Sequence, residues 1–75
     1  MVTPEDIKGW ISAGLENSQV SVQGDGQHFE ATIIYDGFAG KSLVQRHQLV
    51  YGVLGERMKS EIHALSMKTL TPDEL

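Results

Sequence analysis

Phe38-Ala39-Gly40-Lys41-Ser42-Leu43-Val44-Gln45-Arg46-His47-Gln48-Leu49-Val50-Tyr51 is the stretch in which the chain passes from sheet to helix. Gly37 and Gly40 mark a loop, and Ser42 carries a hydroxyl suited to the first free amides of a helix, so a helix is predicted to start there. On a helical wheel Leu43, Val44, His47, Val50, Tyr51, Leu54 and Met58 share one side, the spacing of a helix lying on a sheet. That stripe is the expected core face, with His47 as a half-buried member. Arg46, Leu49, Val53 and Arg57 fall on the flank, where two guanidinium groups bracket two aliphatic side chains. The flank is a candidate surface for docking a partner.

Upstream, Thr3-Pro4-Glu5-Asp6 has the signature of a helix start: a hydroxyl cap, a proline whose missing amide costs nothing, and two acids at the positive end of the dipole. Ile7, Trp10, Ile11 and Leu15 then mark one face of a short helix ending near Gly14 to Asn17. Gln19 to Gln23 alternates as a strand does. Gly24-Asp25-Gly26 follows, and an Asp-Gly pair between alternating runs predicts a hairpin turn. In the next strand, His28 to Tyr35, the residues Phe29, Ala31, Ile33 and Tyr35 face the helices and His28 faces water.

Downstream, the helical region is expected to break at Gly52 or Gly55, and Glu61 to Thr69 to form a third strand headed by His63. Thr71-Pro72-Asp73-Glu74 repeats the opening pattern, so a last helix or frayed turn begins where the sequence stops. The order is helix, strand, strand, helix (split in two), strand, short helix, an α+β domain with a three-stranded mixed sheet. If the second and third strands are parallel neighbours they begin at the same end of the sheet. His28 and His63 would then lie near each other.

At 75 residues the chain makes one domain with a single modest core. It contains no cysteine, so any thiolate ligand must come from elsewhere. No apolar run approaches the roughly 18 to 20 residues that span a bilayer, and a soluble, cytoplasmic protein with no membrane partner is expected. The net charge of −4 disfavours a chain built mainly to grip phosphate. Its distribution is uneven: residues 37–60 carry Lys41, Arg46, Arg57 and Lys59 against Glu56 alone.

Two imidazoles with no acid or thiol between them would leave a metal site half filled, so such a site calls for a partner. In two-iron clusters, histidines can replace two cysteines on one iron. Other motifs are weaker. Gly40-Lys41-Ser42 lacks the earlier glycine of a phosphate loop, with Tyr35 in its place. Gly37-Phe38-Ala39-Gly40 has the G-x-x-G form of KH domains but apolar middle residues. No nucleophile is placed beside a base and an acid in a known pattern, and no catalytic role is expected.

Taken together, Gly24-Asp25-Gly26-Gln27-His28-Phe29, Phe38-Ala39-Gly40-Lys41-Ser42, Gln45-Arg46-His47-Gln48-Leu49-Val50-Tyr51, Ile62-His63-Ala64-Leu65-Ser66-Met67-Lys68-Thr69 and Thr71-Pro72 resemble the BolA family, in particular its short YrbA-like branch. The resemblance covers nearly the whole chain. It implies a class II KH-like α+β fold. It also implies a non-enzymatic protein that pairs with a monothiol glutaredoxin around a bridging [2Fe-2S] cluster, in iron-sulfur trafficking or iron and stress regulation. By the resemblance His63 and His28 are the metal ligands, and the glutaredoxin cysteine and glutathione supply the others. The isolated chain is expected to bind no cofactor and to be a monomer or a weak homodimer. An alternative implied role is a DNA-binding transcriptional regulator, its helix-turn-helix-like element placing Lys41, Arg46 and Arg57 on phosphates. The family's common Arg-His-Arg is Arg46-His47-Gln48 here, one cation fewer.

Overall fold

The computed structural model describes residues 1–75. Helix α1 spans Pro4–Gly14, strand β1 Gln19–Gly24, strand β2 His28–Ile34, helix α2 Leu43–Leu54, helix α3 Arg57–Ser60 and strand β3 Ala64–Leu70. Single 3-10 turns occupy Asp36–Phe38 and Pro72–Glu74. No helix is long and apolar enough to cross a membrane.

Both long helices begin where the sequence predicts. The Thr3 hydroxyl accepts the Asp6 N–H at 3.1 Å and the Asp6 carboxylate accepts the Thr3 N–H at 3.0 Å. Ser42 and Gln45 make the same reciprocal pair at 3.2 and 2.9 Å. Each pair satisfies two helix-end amides that would otherwise lack partners. The break after α2 falls at Gly55, whose φ of 57° lies in the left-handed region that glycine enters without strain.

The sheet order is β1-β2-β3, with β1 antiparallel and β3 parallel to the central β2. Phe29, Ala31 and Ile33 point from β2 into the core, where they meet Ile7, Ile11 and Leu15 of α1, Val20 of β1, Val50 and Leu54 of α2, and the buried Phe38 and Ile62. The opposite face has no helix. It presents polar rows set by the register, Ser21 beside Thr32 beside Lys68, and Gln23 beside Glu30 beside Ser66.

Three expectations are corrected here. The third strand starts at Ala64 rather than Glu61 and ends at Leu70, because the chain first makes the extra turn of α3. The core face of α2 is rotated from the apolar stripe: Val50 and Leu54 are buried, but Leu43, Val44 and Tyr51 are 63, 64 and 41 % exposed. Leu49 and Val53, expected on a solvated flank, instead pack against the core. Val53 meets Gly14 at the end of α1, where a Cβ would collide with the Val53 methyls. Arg46 shares this rotated face, its side chain 12 % exposed and bonded to Thr69 and Glu74.

Candidate functional site

Because β2 and β3 run parallel, their first residues share one end of the sheet. His28 opens β2 and lies across from Ala64, and His63 is the residue immediately before Ala64. Both histidines are exposed. The juxtaposition expected from the topology is therefore present at the level of the backbone.

The turn leading into β2 is fixed by Asp25, whose Oδ1 accepts the N–H groups of His28 and Gln27, each at 2.9 Å. These bonds, that of His28 first, hold the Asp25 carboxyl below the usual range, since they favour its charged form. Gly26 adopts a φ of 95°, and a Cβ at Gly24 would collide with the His28 carbonyl, so both glycines of the turn are required by the geometry. His28 borders an open depression with Gln23, Asp25, Glu30 and Ser66, whereas His63 borders a separate one with Lys59, Glu61 and Ile62. The two imidazoles thus share a rim of the molecule without sharing a cavity.

No three of the chain's histidine, aspartate and glutamate side chains converge as a metal-holding group. Two exposed imidazoles on one rim suit the histidine half of a two-iron centre, in which the remaining thiolates belong to another molecule. On donor chemistry the residues fit such a shared centre. They do not make a closed site of their own.

The basic residues have a different fate. The Arg46 side chain is 12 % exposed and lies 5.8 Å from the centre of the Phe38 ring. Its Nε donates to the Lys41 carbonyl at 3.1 Å, and its Nη1 donates to the Thr69 carbonyl at 3.0 Å. Nη1 and Nη2 grip the Glu74 carboxylate at 2.7 and 2.9 Å. This two-pronged geometry is the strong form of an ion pair. It holds Glu74 down to a pKa of about 2 and raises that of Arg46. Glu74 also accepts the Thr71 N–H at 2.9 Å. Arg46 is therefore a latch between α2 and the C-terminal turn, not a free cation on a flank.

Arg57 stacks 4.5 Å from the centre of the Trp10 ring and reaches Glu61 at 4.0 Å, while Lys41 is exposed. Of the four residues of the expected docking flank, Arg57 alone is exposed. The G-x-x-G comparison also loses its basis, since Phe38 is fully buried against Tyr35 in an edge-to-face pair 5.2 Å apart and cannot clamp a nucleic acid backbone. Reasoning from sequence missed Glu74 and Asp25. Asp25 could have been found from the Asp-x-x pattern of a turn whose side chain bonds its own backbone.

Comparison with known proteins adds a second line of observation. Residues 12–74 match the family model described as BolA-like protein. A solved bolA protein homologue from Coxiella burnetii superposes with a TM-score of 0.91 at 56 % identity, covering 99 % of this chain and 96 % of that one. Acid stress protein IbaG of Escherichia coli is 39 % identical over 70 residues, 92 % of this chain and 83 % of its own. SufE-like protein 1 of Arabidopsis thaliana is 48 % identical over 72 residues, 95 % of this chain but 19 % of its own length, so this chain spans a small part of that protein. A DNA-binding transcriptional regulator BolA of Escherichia coli is 33 % identical over 51 residues, 68 % of this chain and 49 % of its own.

Proposed function

The chain belongs to the BolA family, and on that premise we propose that it is a non-enzymatic adaptor that docks a monothiol glutaredoxin and lends His63 and His28 to a [2Fe-2S] cluster held between the two proteins. The cluster is cargo, and glutathione and the glutaredoxin cysteine complete its coordination. The observation that carries this reading is the parallel register that sets His28 across from Ala64, next to His63, in a chain with no cysteine. This chain's own contribution is two exposed imidazole nitrogens, one of them on a turn fixed by Asp25. A histidine pair in place of thiolates lowers the negative charge around the iron it binds and raises the centre's potential.

The test is a titration of cluster-loaded monothiol glutaredoxin with this chain, followed by visible circular dichroism. The wild-type chain is expected to change the spectrum, His63→Ala to abolish the change, and His28→Ala to give a different one. A spectrum indifferent to wild-type chain, or a double variant that reproduces the wild-type change, removes the proposal. Backbone amide spectra of the variants, matching wild type, establish that folding is intact.

The DNA-binding role named for the Escherichia coli relative has weaker support here. Four of the five donors of Arg46 are already bonded within the chain, so of the three residues expected on phosphates only Lys41 and Arg57 are exposed, in an acidic molecule. Few phosphate contacts make weak binding that salt removes.

A further inference from the structure

Strand β3 lies at the edge of the sheet, and half of its backbone groups point away from β2. The Leu70 carbonyl accepts the Tyr35 N–H, so the backbone groups of Leu70 face β2; in a parallel ladder those of every second residue do the same, namely Lys68, Ser66 and Ala64. Leu65, Met67 and Thr69 therefore face outward. At the C-terminal end of this outer edge the groups are occupied: Arg46 takes the Thr69 carbonyl, Glu74 takes the Thr71 N–H, and the two side chains hold each other. Toward the other end they are not. The N–H and C=O of Leu65 and of Met67 have no partner in backbone or side chain.

An unpaired edge is a template for another strand, and folded proteins blunt it with proline, bulges or inward charges. Residues 64–70 contain no proline and one lysine, and Lys68 lies in the polar row of the open face. The unoccupied stretch is short and centred on Ser66. That symmetry identifies what fits it.

We infer that the outer edge of β3 pairs antiparallel with β3 of a second copy of this chain about a two-fold axis at Ser66, joining two three-stranded sheets into one of six. In that register Leu65 stands opposite Met67 of the second copy, and each pair exchanges two bonds, N–H to C=O in both directions. The four unpartnered groups of each chain are used, and the Arg46 and Glu74 latch stays closed. Leu65 and Met67, both half-buried on the helix side, cover each other across the seam. On the open face Ser66 meets Ser66 and Lys68 meets Ala64, so no like charges are opposed. Pairing with an unrelated chain would not need this centring. The inference does not depend on the histidine pair or on any cluster.

The experiment is sedimentation equilibrium of the whole chain up to about 1 mM, a range set by the millimolar-to-micromolar affinities of small interfaces. Wild type is expected to form a dimer. Met67→Pro removes an N–H that faces outward and leaves the ladder to β2 intact, a position where an edge strand accepts proline. It deletes two bonds of the dimer and is expected to weaken it about tenfold. Ser66→Lys and Ser66→Asp each set like charges opposite one another and are expected to weaken it about threefold, while an equimolar mixture of the two recovers at least wild-type strength. Should Met67→Pro fail to fold, the charge exchange at the exposed Ser66 decides alone. A chain monomeric throughout the range, or a dimer unaffected by Met67→Pro and blind to charge matching at Ser66, overturns the inference.

Discussion

Arg46 and Glu74, 28 residues apart in sequence, hold each other through two parallel hydrogen bonds of 2.7 and 2.9 Å, and together they join α2, the end of β3 and the last turn. Glu74 is pulled from an ordinary pKa of 4.5 to about 2, first by Arg46 and then by the Thr71 N–H. A carboxyl whose folded pKa is depressed binds fewer protons folded than unfolded near pH 3 to 4. Its stabilisation is complete above the unfolded value and is lost as pH falls toward the folded one. Glu74→Gln is therefore expected to be less stable than wild type at pH 7, with the gap closing between pH 4.5 and about 2. Urea unfolding across that range measures it, and a gap independent of pH would contradict the pairing.

The approach of α1 to α2 is set by the absence of a side chain at Gly14. Gly14→Ala drives a methyl into the branched, half-buried Val53. It is expected to cost about 1 to 3 kcal/mol by overpacking. Gly14→Ala with Val53→Ala should recover part of that loss, which a double-mutant cycle in urea resolves.

His47 lies beside Val50 on α2, with its Nε2 buried and without a hydrogen-bond partner. Replacing an unpartnered buried polar atom by an apolar group of similar size removes a desolvation cost. His47→Leu is expected to stabilise the fold by about 1 kcal/mol, read as a higher urea midpoint with unchanged slope.

Asp25 is the carboxylate that shapes the turn before His28. Because bonds from the His28 and Gln27 amides lower its pKa, its contribution is present above the unfolded value of 3.8 and fades as pH falls below it. The His28 and Gln27 amide resonances are expected to titrate together in that acidic range. In Asp25→Ala both should shift at neutral pH, while Asp25→Asn, which keeps an accepting oxygen, stays near wild type.

Much of this architecture can be read from local pattern. Thr3 and Ser42 announce their helices through the cap and its third-residue partner, Asp25-Gly26 announces the hairpin, and alternation assigns Phe29, Ala31 and Ile33 to the core. The rim follows from topology, since a helical crossover to a parallel neighbour returns the chain to the end where β2 began. What escapes is decided by distant partners. Periodicity places Leu43, Val44 and Tyr51 on the core face of α2, but an arginine given a bidentate carboxylate and an aromatic ring prefers to turn in, and nothing near Arg46 in sequence reveals Glu74. The second helical segment is legible from the glycine break, but its end at Ser60, and so the start of β3 at Ala64, is not, because four residues carry too little periodicity to register.

Strand β2 is completed at Ile34, whereas β3, its parallel neighbour, is completed at Leu70, 36 residues later (70 − 34). At ribosomal speeds of 5 to 20 residues per second, the inner margin of β2 stays bare for about 2 to 7 seconds during synthesis. The hairpin of β1 and β2 is local and closes early, but the nascent chain must wait for β3 to seal the sheet. That interval is when mispairing is most dangerous, and it is a delay that refolding of the finished chain never encounters.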